Sequence, residues 1–138
     1  MGGGRLTDEM LAAYTQIDYV NHMALVVSVA RADGTGEDLI ADGRFVIEDG
    51  VAEFAMLVAD AWQGKGVGRR LFATLVRAAR VSGAREVFGE VLSTNRRMIG
   101  LARDAGFRVT AVPGDATVCT VRLPLAQVEA AITPFVFA

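Results

Sequence analysis

The stretch Gln63-Gly64-Lys65-Gly66-Val67-Gly68-Arg69-Arg70 lies between an apolar run at 51–59 that reads as a strand and an amphipathic run at 67–80 that reads as a helix. Glycines at 64, 66 and 68 let the backbone turn sharply and approach a ligand with no side chain in the way. The helix that follows adds unpaired N–H groups and the positive end of its dipole at the same spot. A strand, a glycine-rich turn and a helix start in this order make a receptor for a phosphate or diphosphate group.

Working outward, Leu71, Leu75 and Ala79 share a helical face with Val67, while Arg69, Arg70, Thr74, Arg77 and Arg80 fall mostly elsewhere. Ser82-Gly83 ends that helix. Upstream, residues 23–30 and 39–47 read as strands joined by a polar turn at 31–38, and Glu48-Asp49-Gly50 is a tight hairpin signal before the strand at 51–59. Residues 7–17 read as a helix, with Thr7 as N-cap. Downstream come a strand at 86–92, an Asn95-capped helix with Met98, Leu101, Ala102 and Ala105 at i, i+3, i+4, i+7, and Gly106 as its stop. Strands at 107–112 and 117–123 flank a turn at 113–115, and residues 125–138 read as a short helix and an extended apolar end. Hairpins require antiparallel pairing and the strand–helix–strand crossover requires a parallel pair. The predicted fold is α/β (α+β in the looser sense): a mixed, mostly antiparallel sheet with flanking helices. Residues 1–138 make one domain, with a core at 7–123 and a tail at 124–138.

Composition narrows the chemistry. The 138 residues carry a net charge of −2, which gives no reason to expect nucleic acid as a partner. No apolar run reaches the roughly 18–20 residues that span a bilayer. The start, Met1-Gly2-Gly3-Gly4-Arg5, has no hydrophobic signal region, so a cytoplasmic protein without a membrane partner is expected. One cysteine, Cys119, and one histidine, His22, speak against a disulfide framework, a metal site or a Ser-His-Asp triad.

Register then sorts the phosphate ligands. A triphosphate-binding loop needs Ser or Thr after Gly-Lys, and Gly66 stands there. A dinucleotide fingerprint started at Gly64 needs a third glycine where Arg69 stands. The pattern that fits is Gln-x-x-Gly-x-Gly between strand and helix. With it, the chain resembles the GNAT superfamily of N-acetyltransferases. The run from Val58 to Gly68 looks like that family's strand-to-loop motif; Asn95, Leu101-Ala102 and Ala105-Gly106-Phe107 look like its following helical motif. The segments at 15–19, 23–26 and 52–55 resemble the acetyltransferase domain of bacterial protein-lysine acetyltransferases that modify acyl-CoA synthetases. The resemblance covers roughly residues 7–123. It implies a GNAT-like acyl-CoA N-acyltransferase fold, shortened at the N-terminus because the family's first strand and helix are not recognised here. A fragment, a shortened protein, and a domain completed by a second copy as a homodimer all fit that expectation.

The resemblance also assigns roles. The backbone amides of Gln63, Gly64, Lys65, Gly66, Val67, Gly68 and Arg69 would hold the diphosphate of acetyl-CoA, the co-substrate. Met56, Leu57 and Val58 would splay from the neighbouring strand and bond the pantetheine arm. Asn95 would contact that arm near the thioester. The acceptor would be a small-molecule amine or a protein lysine, and no metal is implied. An alkylamine with pKa near 10.4 is neutral in roughly one molecule in a few thousand at pH 7, a handicap of about 4–5 kcal/mol. A general base helps. Glu53 is the one charged side chain at 51–59, and burial beside an apolar strand is what brings a carboxylate toward neutral pKa. The resemblance places the family's catalytic glutamate there. The tyrosine that many members use as general acid is replaced by Ala102; Cys119 and Tyr19 are the substitutes available, but Cys119 also reads as a small core residue on a strand, and the thiolate can leave unassisted and be protonated by water. Arg70 is open to two readings, a solvated position or a 3′-phosphate contact. Two rival functions remain: a non-catalytic CoA-binding regulatory module, and a nucleotide-binding protein of another kind.

Overall fold

Apolar and polar residues alternate along the central segments, and that alternation gives the sheet two different faces. The computed structural model describes residues 12–19 and 21–125. Its strands are β1 (Ala12–Tyr19), β2 (His22–Ala30), β3 (Glu37–Glu48), β4 (Val51–Val58), β5 (Glu86–Leu92), β6 (Arg108–Val112) and β7 (Asp115–Pro124). The helices are α1 (Val67–Val81) and α2 (Arg96–Asp104). All seven strands join one sheet in the order β1-β2-β3-β4-β5-β7-β6. β4 and β5, connected through α1, are its one parallel pair; every other neighbouring pair is antiparallel. The expected mixed, mostly antiparallel architecture is the one observed.

One expectation fails. Residues 12–17 are not the end of a helix but part of β1, which pairs with β2 from Ala12↔Ser28 to Tyr19↔His22. Tyr14, Thr15, Ile17 and Tyr19 are residues that suit a pleated strand. Pairing along nearly all of β2 satisfies the backbone groups of β1 that face it, and this outweighs the helical reading of 12–17. Thr7 itself, and all of the predicted tail except Pro124 and Leu125, lie outside the described residues.

The core gathers on one face. Met23, Leu25, Val27, Phe45, Ile47, Ala52, Phe54, Val87, Val91 and Val121 are all buried. α1 covers them with Val67, Leu71, Phe72, Leu75, Ala78 and Ala79, sitting chiefly on β3 and β4. Gly43 lets it come close: a Cβ there would stand 2.7 Å from a Leu75 methyl. Phe54, Phe72 and Phe107 form a ring cluster, with centroids 5.2 Å, 6.3 Å and 5.1 Å apart. The cluster ties β4, α1 and the chain after α2 together. The other face stays open along β3 and β4, where Arg44, Val46, Glu53, Ala55 and Leu57 are exposed. The β3–β4 hairpin turns on Asp49 and Gly50, at φ 51° and 79°, the paired positive angles that a two-residue turn matched to strand twist requires.

Candidate functional site

The parallel ladder between β4 and β5 is short. It runs Val51↔Glu86, Ala52↔Val87, Glu53↔Phe88, and stops. Beyond it the strands part. On the core face the Phe54 ring lies over Gly89, where a Cβ would stand 2.5 Å from the ring. From Phe54 to Val58, β4 makes no further rung with β5, so the backbone groups on that edge, short of the Val58 carbonyl that accepts from Gln63, can pair with an extended ligand.

At the wide end of this fork stands the glycine loop. A single 3₁₀ turn, Asp60–Trp62, leads into it. The Gln63 amide donates to the Val58 carbonyl and to Asp60 Oδ1, both at 3.3 Å, bracing the end of β4. Gly64 and Gly66 have φ of 76° and 91°, the left-handed region that favours glycine. Gly66 is the N-cap of α1 and offers no side-chain cap. The first intrahelical bond runs from Arg70 N–H to the Gly66 carbonyl at 3.1 Å. The amides of Val67, Gly68 and Arg69 precede that bond and point out of the helix start, and no acidic residue occupies the first turn. This is a ready anion cradle. Gly68 serves packing as well: a Cβ there would meet Leu101, Val58 and Met56 at 3.4–3.7 Å.

α2 closes the other side. Asn95 caps it, Oδ1 accepting from Met98 N–H at 3.1 Å, which leaves its amide NH2 outward. Between fork, loop and α2 lies a cavity of about 450 Å³. Of the residues expected from the sequence, Met56, Leu57, Val58, Gln63, Gly64, Gly66, Gly68, Arg69 and Asn95 line it. Lys65 and Val67 do not. The Val67 side chain is in the core, so only its amide faces outward.

Glu53 is outside the cavity. It sits on the last rung before the fork, on the open face, and it is exposed. The burial expected around its carboxylate is absent, because odd-numbered residues of β4 point away from α1. In its row across the sheet it lies between Val46 and Phe88, and Arg122 stacks over the Phe88 ring at 4.7 Å while bonding Glu86 at 2.6 Å. Ala102 is fully buried, so no acid group stands there. Cys119 faces the core beside Val91 and Ala111 rather than the fork, and the Tyr19 side chain lies outside the described residues.

Sequence reasoning missed the contribution of α2. Arg96, Arg97, Gly100, Leu101 and Asp104 also line the cavity. Residues 97, 101 and 104 follow i, i+4, i+7, a second helical face that the search for a core stripe passed over. Leu101 belongs to this face, and Ala105, expected in the core, is exposed. Arg69 and Asp104 pair across the groove at 3.0 Å. Among the described residues, no His, Cys, Asp and Glu are grouped to hold a metal, and no helix is long and apolar enough to cross a membrane.

A mixed sheet forked at its one parallel pair, with an uncapped glycine-rich helix start at the fork's mouth, defines the acyl-CoA N-acyltransferase class of fold. The chain belongs to the acetyltransferase (GNAT) family, whose model matches residues 4–107. It is 33% identical over 95 residues to acetyltransferase Pat of Mycolicibacterium smegmatis, covering 67% of this chain and 27% of that protein. Among solved structures, the GNAT domain of S. lividans PAT superposes with a TM-score of 0.63 at 30% identity, over 80% of this chain and 64% of the other. The yncA protein from Salmonella typhimurium, solved with its cofactor acetyl-CoA, superposes with a TM-score of 0.61 at 26% identity, over 79% of this chain and 68% of the other. The chain thus spans about a quarter of Pat and about two thirds of the matched structures.

Proposed function

We propose that this chain is an acetyl-CoA-dependent N-acetyltransferase that acetylates an amine, with the lysine side chain of a protein as one acceptor class. The observation that carries this reading is the fork between β4 and β5 opening onto an uncapped, glycine-rich helix start. A CoA ester is an extended amide-bearing arm joined to a diphosphate, and these two features match its two parts. The likeness to acetyltransferase Pat and to a structure that holds acetyl-CoA supports the same assignment.

The amides of Gly64 to Arg69 would bind the diphosphate. The free edge of β4 at Met56 to Val58 would pair with the pantetheine arm as an added strand, and the outward NH2 of Asn95 would bond it from α2. The thioester end would then lie toward the narrow end of the fork, next to Glu53. The amine nitrogen attacks the thioester carbonyl carbon. A C–N bond forms, the C–S bond breaks, and the amine proton passes to the Glu53 carboxylate directly or through water. The thiolate leaves and takes its proton from water, since Ala102 offers none. Glu53 is exposed, so the acceptor's own apolar stem would have to exclude solvent around the carboxylate on binding. A homodimer belongs to this proposal too, and sedimentation over a range of concentrations tests it.

The test is release of free thiol from acetyl-CoA over a panel of amines and lysine peptides. Turnover with at least one acceptor is expected. Glu53→Gln should lower kcat roughly a hundredfold or more while CoA affinity holds; an unchanged kcat removes Glu53 from the mechanism. CoA binding with no turnover on any acceptor would point instead to a non-catalytic CoA-binding module. Tighter binding of ATP or NAD than of CoA in thermal-shift competition would overturn the CoA reading itself.

A further inference from the structure

The cavity is lined by three arginines, Arg69, Arg96 and Arg97, and by one carboxylate, Asp104. Arg69 spends its guanidinium on Asp104. Arg97 makes no hydrogen bond or ion pair among the described residues, and it is exposed. A Cβ built on Gly64 would stand 2.8 Å from Arg97 Nη1 and 3.6 Å from its Cζ. The guanidinium from α2 therefore lies directly over the glycine loop, across the groove from the α1 amides. The φ of 76° at Gly64 favours glycine, and the Arg97 guanidinium lies beside the place where a Cβ would stand.

An anion seated on the amides of 66–69 would meet this guanidinium on its far side. Guanidinium and diphosphate suit one another, with planar paired donors against vicinal anionic oxygens. We infer that Arg97 is the second jaw of a diphosphate clamp, which makes the site select CoA esters over thioesters that carry a single phosphate on the pantetheine arm. The inference rests on the function proposed above. It adds a specificity-determining residue from α2 to a site otherwise built from backbone amides.

Calorimetric titration of wild type and Arg97→Ala with CoA, dephospho-CoA and 4′-phosphopantetheine tests it. Dephospho-CoA keeps the diphosphate and lacks the 3′-phosphate; 4′-phosphopantetheine keeps one phosphate only. The variant is expected to bind CoA and dephospho-CoA about tenfold more weakly or worse, to bind 4′-phosphopantetheine nearly as wild type does, and to regain part of the loss as Arg97→Lys. Equal loss for all three ligands would mean that Arg97 merely holds α2 in place. Loss for CoA alone would mean that it reads the 3′-phosphate, and no loss would mean that it reads nothing; each of these overturns the inference. Wild type that fails to bind CoA at all would overturn the proposed function as well. Because Arg97 is exposed, Arg97→Ala should melt with wild type, and the melting curve checks that the comparison is between folded proteins.

Discussion

Two properties of Gly66 act together. Its φ is 91°, and the space where a Cβ would stand is empty to 4 Å. In Gly66→Ala no neighbour is struck, so the stability cost comes from the backbone alone, about 1–2 kcal/mol for a left-handed alanine. The methyl would, however, project where a ligand must approach the amides. Thermal melting should show the small loss and titration a larger one, with CoA affinity falling about tenfold or more; unchanged affinity would mean that the loop is not the diphosphate site. The loop's sharp turn into α1 was legible in the sequence because the glycine spacing states it directly. Arg97 was not legible there. Its importance comes from lying across the groove from Gly64, a contact between residues 33 positions apart that no local pattern records.

The two helices begin in opposite ways. α1 starts on an uncapped glycine and keeps its amides for a ligand; α2 starts on Asn95, whose Oδ1 takes the Met98 amide. Asn95 can serve both cap and ligand because it has two ends, and substitution separates them. Asn95→Ala should cost about 1 kcal/mol of stability. Asn95→Asp should keep the cap and hold stability within a few tenths of a kcal/mol of wild type. Both should raise KM for acetyl-CoA, and an aspartate variant with wild-type KM would leave Asn95 as a cap only. Strand β5 carries its own constraint at Gly89. Three atoms of the Phe54 ring would lie within 3.0 Å of a Cβ there, and Phe72 and Phe107 hold that ring. Gly89→Ala should cost about 1–3 kcal/mol in urea unfolding with an unchanged slope; a neutral effect would show that the ring can move aside. Most elements could be read in advance because their turns carry strong chemistry, as at Asp49-Gly50 and Gly106. β1 could not, because a strand whose partner is its neighbour in the chain is decided by that pairing, whereas its local residues also suited a helix.

The molecule is organised around one interruption. Among the described strands, a single parallel pair, three rungs long, breaks an otherwise antiparallel sheet. The crossover helix required by that pair delivers its N-terminus to the place where the strands part. The break in pairing and the anion cradle are therefore consequences of one topology, which is why the donor half of the site could be anticipated from the order of elements. The acceptor half could not. Glu53 was identified by being the lone charge on an apolar strand, yet its exposure depends on which face α1 covers, and the pattern of β4 alone does not fix what else shields that face. The central claim is that fork and helix start together hold one ligand. Amide hydrogen exchange with and without CoA tests it most directly. Slowed exchange is expected in two separate stretches, 54–58 on β4 and 64–69 in the glycine loop, with the distant β2–β3 ladder unchanged. Protection of the loop without the strand, or of neither, would contradict it.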